Sequence, residues 1–133
     1  MNSSPFYIQK TRKSFTEAIE SVKASAAKAG FNIVAEHNMK NTYESHNLQW
    51  KSNYTILSFC NPIKSHHALS LDKRLGCFMP KNIIVFEDDD GTVNIMMMKG
   101  DPNKMNEFFP ALGIGEMSAK TMSELISIID NSI

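Results

Sequence analysis

Cysteine is scarce in this sequence: Cys60 and Cys77 are the two thiols in 133 residues. Two cysteines cannot build the disulfide framework of a small secreted scaffold, and no CxxC spacing is present for redox exchange. Net charge is also lacking, since fourteen Lys and Arg balance fourteen Asp and Glu. That balance excludes a nucleic-acid or heparin binder acting through bulk charge. No apolar run approaches the roughly 20 residues of a membrane-spanning helix. The opening Met1-Asn2-Ser3-Ser4-Pro5-Phe6 has no charged segment leading into an apolar stretch, so no signal peptide is expected. Without a secretory signal, the sequon Asn53-Tyr54-Thr55 is read as chance. A Walker loop, a serine nucleophile elbow and a dinucleotide fingerprint are all missing. Gly113-Ile114-Gly115 follows no strand and does not supply one. These absences point to a soluble cytoplasmic protein with reduced thiols and no membrane or nucleic-acid partner.

What is present is an ordinary globular composition. Apolar residues make up 42 % and charged residues 21 %. That is enough apolar mass for a core, and the length suits one domain over residues 1–133. Charge is uneven along the chain. Residues 1–81 carry eleven Lys and Arg against five Asp and Glu, whereas residues 82–133 carry three against nine. The resulting +6 and −6 halves either interleave on folding or meet as complementary patches across a dimer.

Hydrophobic periodicity predicts the elements. Phe6 to Thr11 reads as a strand. Ser14-Phe15-Thr16-Glu17 fits a capping box, and Phe15, Ala18, Ile19, Val22 and Ala26 recur at helical spacing, giving a helix over about 15–29 that Gly30 ends. Phe31, Ile33 and Ala35 alternate as one face of a second strand. The polar stretch 37–53 is poorly patterned, with a short strand expected at Leu48 to Trp50. Tyr54 to Cys60 is apolar on both faces, as in a central strand. Asn61-Pro62 opens a helix predicted to reach Arg74, burying Ala68, Leu71 and Leu75, with Gly76 as its stop. Asn82 to Glu87 and Thr92 to Met98 read as a hairpin around Asp89-Asp90-Gly91. Asp101-Pro102 starts a short helix to Phe108, and a last helix spans about Glu116 to Asn131, with Met122, Leu125, Ile126 and Ile129 on one stripe. The fold class implied is α+β, with a mostly antiparallel sheet and helices packed on it.

The most informative stretch for chemistry is Phe59-Cys60-Asn61-Pro62, where a strand meets a helix. The first N–H groups of a helix carry the positive end of its dipole and can hold an anion or lower a nearby thiol pKa. Cys60 equally suits a small buried residue, and Asn-Pro is ordinary helix-start chemistry. Cys77 follows after sixteen intervening residues. A helix of that span separates its ends by roughly 20 Å at about 1.5 Å per residue, so no bridge to Cys60 is expected. His66 and His67 point about 100° apart on a helix, and His37 and His46 stand alone, so no metal site is expected. The acidic turn Glu87-Asp88-Asp89-Asp90-Gly91 lacks the spacing and distal Glu of a calcium loop. Met96-Met97-Met98 alternates faces in a strand and reads first as packing.

Taken together, these residues resemble the "domain of unknown function 302" family. The resemblance rests on Ser14 to Glu17, on Gly30-Phe31, and on Tyr54 to Pro62 leading into His67-Ala68-Leu69. It continues through Asp72, Leu75-Gly76, Pro80 and Ile84-Val85-Phe86-Glu87 with Asp90-Gly91. It implies a β-α-β4-α domain of the TATA-binding-protein-like fold class, a label of topology that carries no DNA binding. It also implies a homodimer and no established activity. One departure matters: the family often carries Cys directly after the motif proline, where Lys81 follows Pro80 here. A two-thiol mechanism therefore does not transfer.

The function expected is a non-enzymatic, homodimeric small-ligand-binding or interaction module. Its pocket is placed at Cys60, Asn61, Pro62 and Ile63 with the facing Cys77 to Pro80 loop, for a small anionic or thiol-containing ligand. No catalytic residue, metal or cofactor is assigned. The alternatives are a thiol-dependent enzyme or redox carrier using Cys60, and a metal-binding protein using His37, His46 or His66 with a cysteine.

Overall fold

The computed structural model describes residues 4–133. Its five strands are β1 (Phe6–Thr11), β2 (Asn32–Asn38), β3 (Tyr54–Cys60), β4 (Lys81–Glu87) and β5 (Val93–Met98). They form one antiparallel sheet in the order β1-β5-β4-β3-β2. The helices are α1 (Phe15–Lys28), α2 (Met39–Ser45), α3 (Pro62–Leu71), α4 (Pro102–Phe108) and α5 (Gly115–Asp130), with a 3-10 segment at Lys73–Phe78. The chain is thus the expected α+β fold.

Helix α1 is closed at both ends by its own sequence. The Ser14 hydroxyl accepts from the Glu17 N–H at 3.1 Å, and the Glu17 carboxylate accepts from the Ser14 N–H at 3.4 Å. At the other end Gly30 takes φ +84°, and the Phe31 N–H donates to the Ala26 carbonyl at 2.9 Å. This is the left-handed stop that glycine allows at least cost.

Helices α1 and α5 cover one face of the sheet. Ala18, Val22 and Ala26 from α1 and Leu125 and Ile129 from α5 meet Leu57, Phe59, Ile83, Val85 and Ile95. Period-2 alternation sends the intervening residues to the opposite face. There Ile8, Met96, Ile84, Ile56 and His37 line up as register partners in one row across all five strands. A smaller cluster of Ala68, Leu75, Phe109 and Ile114 forms under the 3-10 segment and α4.

Four local expectations are corrected. Leu48 to Trp50 is not a strand, and the helix α2 precedes it instead. That helix is held by the Asn38 side chain, which accepts from the Asn41 N–H at 3.1 Å, and by the Tyr43 ring 5.5 Å from Trp50. Second, Phe31 is buried but Ile33 is 38 % exposed, because a register shift between Ile33 and Ala35 turns the strand. Third, α3 stops at Leu71 rather than Arg74. Asp72 is extended, and its carboxylate accepts from the Arg74 N–H at 2.8 Å to start the 3-10 segment. Fourth, Leu71 is 41 % exposed, while Leu75 is buried from that segment. Gly76 therefore lies inside the 3-10 turn and does not end a helix.

Candidate functional site

The candidate site sits where β3 ends and α3 begins. Asn61 occupies the helix N-cap with extended backbone. Its side-chain oxygen accepts from the N–H groups of Ile63 at 3.1 Å and Lys64 at 3.2 Å. The Ser65 N–H donates to the Asn61 carbonyl at 2.9 Å, and Pro62 has no N–H to offer. The first turn of α3 is therefore already satisfied by Asn61. The anion-binding helix end expected from sequence has its donors committed to the cap.

Beside the cap is a cavity of about 130 Å³, partly open to solvent. It lies on the seam between the main core and the smaller cluster. Phe59 and Leu125 belong to the first and Ala68 and Leu75 to the second, and all four reach its wall. Six methionines also line it: Met79, Met97, Met98, Met105, Met117 and Met122. Long thioether side chains fill irregular space and adapt to what enters it.

Of the six residues expected at the site, Cys60 and Asn61 line the cavity. Pro62 and Ile63 do not, and Ile63 is 83 % exposed on the outer side of α3. Cys77 and Pro80 are also exposed and stand outside the wall, while their neighbours Phe78, Met79 and Lys81 form it. Both cysteines are free, Cys60 partly buried and Cys77 exposed. The Met79–Pro80 peptide is cis. His37, His46, His66 and His67 are all exposed, and no group of three or more His, Cys, Asp or Glu among the described residues is arranged to hold a metal ion.

Two lysines reach the cavity, and they differ. Lys64 is ion-paired to Glu124 of α5, which ties the start of α3 to that helix. The side chain of Lys81, partly buried at the start of β4, has no hydrogen-bond or ion-pair partner among the described residues. Burial holds its ammonium below the ordinary lysine pKa. Sequence reading passed over Lys81 as a site residue. A signal for it was present: Lys81, Ile83 and Val85 share one phase of the strand, the phase that faces the core.

Residues 7–132 match the family described as "Domain of unknown function DUF302". The chain belongs to this family. A crystal structure of an uncharacterized conserved DUF302 protein from Bacillus stearothermophilus matches it with a TM-score of 0.85 and 22 % identity. The match covers 97 % of this chain and 98 % of that one. At that identity the likeness establishes a shared fold. No curated protein matches the chain. No helix among the described residues of this DUF302 chain is long and apolar enough to cross a membrane.

Proposed function

We propose that this DUF302 chain is a small cytoplasmic, non-enzymatic binding domain that acts as a homodimer and holds a small anionic or thiol-containing ligand. The observation that carries this reading is the cavity on the seam between the two apolar clusters. Concave, largely apolar sites with a few placed polar groups are the usual form of a small-ligand site. Several polar side chains on its wall already have structural duties: Asn61 caps α3, Lys64 pairs with Glu124, and the Ser65 hydroxyl donates to the Pro62 carbonyl. Such a wall favours holding a molecule over transforming it. Two unbridged cysteines suit a reducing compartment.

The dimer is supported by the second face of the sheet. Phe6 is 52 % and Ile8 48 % exposed on the β1 edge, and Ile8 begins the row that continues through Met96, Ile84 and Ile56. Contiguous exposed apolar surface of this kind commonly marks an interaction face.

Thermal-shift measurements with small carboxylates, phosphate and glutathione, on the wild type and Cys60→Ser, test the ligand reading. A raised melting temperature with at least one of these is the expected result, and loss of the glutathione response in Cys60→Ser would select a thiol ligand. No shift with any of them counts against a ligand site. Sedimentation that shows only monomer at micromolar concentration would remove the homodimer.

A further inference from the structure

Lys81 gives the cavity a charge that nothing else in the described residues neutralises. It is register-paired with Phe59 across β3 and β4, and both side chains reach the same cavity wall. The second lysine there, Lys64, is already matched by Glu124. The unmatched charge on the wall is therefore a single positive one. A phosphate or dicarboxylate would bring more negative charge than this apolar wall can pair, and unpaired charge among methionines is costly. The remainder of the wall is suited to an apolar body: Phe59, Leu75, Met97 and Met117 line the same cavity as Lys81. Size gives a further bound. The cavity measures about 130 Å³, close to the roughly 150 Å³ apolar cavity that accommodates benzene.

We infer that the ligand is a small apolar monocarboxylate, aromatic or short-chain aliphatic, whose carboxylate pairs with Lys81 and whose body lies among the methionines. This inference rests on reading the cavity as a ligand site. It deepens that reading by naming the ligand's chemistry and the residue that selects it. The carboxylate offsets the loss of solvation that partial burial imposes on the Lys81 ammonium. Ser118 and Thr121 also line the cavity, and hydroxyls of this kind can donate to a carboxylate oxygen.

Titration calorimetry with benzoate, hexanoate and the neutral benzyl alcohol tests this on the wild type, Lys81→Arg and Lys81→Met. Benzoate and hexanoate bind the wild type about tenfold more tightly than benzyl alcohol, the scale expected for one charge-assisted hydrogen bond. Lys81→Met loses that preference, and Lys81→Arg keeps it because the charge is retained. Equal binding of benzoate and benzyl alcohol to the wild type overturns the inference while leaving the cavity a ligand site. Unchanged benzoate binding in Lys81→Met does the same. Should Lys81→Met fail to fold, the comparison of charged and neutral probes on the wild type still decides. Absence of binding by all three probes, with a response to glutathione, rejects the carboxylate and keeps the site. Silence from every probe and from glutathione rejects both.

Discussion

Lys81 and Phe59 face each other across adjacent antiparallel strands, a lysine against a fully buried aromatic ring. The cost of that placement has a definite pH dependence. Burial depresses the Lys81 pKa, so folding disfavours its charged form. The penalty is full below the folded pKa and is relieved as pH rises toward the ordinary value of 10.5. Lys81→Met should therefore stabilise the protein by about 1 kcal/mol at neutral pH. The gain over wild type should shrink as pH approaches 10.5. Urea unfolding of both proteins at neutral and alkaline pH checks this. A gain that does not change with pH would contradict the desolvation account.

The Asn61 cap can be tested apart from any ligand. Asn61→Ala leaves the N–H groups of Ile63 and Lys64 without their partner. The expected loss is about 1 kcal/mol of stability. Asn61→Asp keeps the acceptor and should recover most of it. Equilibrium denaturation of the three proteins measures the difference.

Gly115 is held to α4 by the Asn106 side chain, which accepts from the Gly115 N–H at 2.8 Å. A Cβ on residue 115 would overlap the Asn106 amide. Gly115→Ala should therefore displace Asn106, leave a buried N–H unpaired and cost about 1–3 kcal/mol. Asn106→Ala removes the same hydrogen bond without the overlap and should cost less. A Gly115→Ala melting temperature equal to wild type would show that the α4–α5 contact adjusts freely.

Tyr7 on β1 donates from its hydroxyl to the Asp130 carboxylate on α5 at 2.5 Å. That hydrogen bond is the largest cause raising the Tyr7 pKa above the ordinary 10.0. A raised tyrosine pKa contributes stability that is fully present below the unfolded value and is lost as pH climbs through the folded one. Because the pair is well exposed, Tyr7→Phe should cost only about 0.5 kcal/mol at neutral pH. The difference should fade above pH 10, near the ordinary tyrosine value. Stability curves of both proteins against pH provide the readout.

Much of this molecule is legible in its sequence because its elements are punctuated locally. Ser14 and Glu17 open α1 and Gly30 closes it, and each acts within a few residues of itself. Asn61-Pro62 and Asp101-Pro102 start α3 and α4 for the same reason. The hairpin of β4 and β5 follows from alternation and the Asp90-Gly91 turn. The family was legible too, from the residues between Ser14 and Gly91 that carry the resemblance, and the family match spans residues 7–132.

The errors fall where local signals are weak. Helix α2 buries none of its residues, so it leaves no apolar stripe to read. The shift between Ile33 and Ala35 breaks an alternation that the residues by themselves continue. Asp72 ends α3 by capping the next segment, a role that a mid-helix reading assigns to no one.

The sequence by itself determined the α+β class, the main caps, the central strands and the junction at Cys60 and Asn61. It did so because capping and strand period are properties of neighbouring residues. Only the tertiary structure decided what that junction is. Packing α3, the 3-10 segment and α5 around the strand ends leaves a seam between two apolar clusters. It turns Ile63 and Cys77 outward and brings Met117 and Lys81 to one wall. Residues so far apart in the chain share a cavity only once the long-range contacts form; strand phase turns Lys81 toward the core, but its neighbours in sequence do not show which residues it meets there.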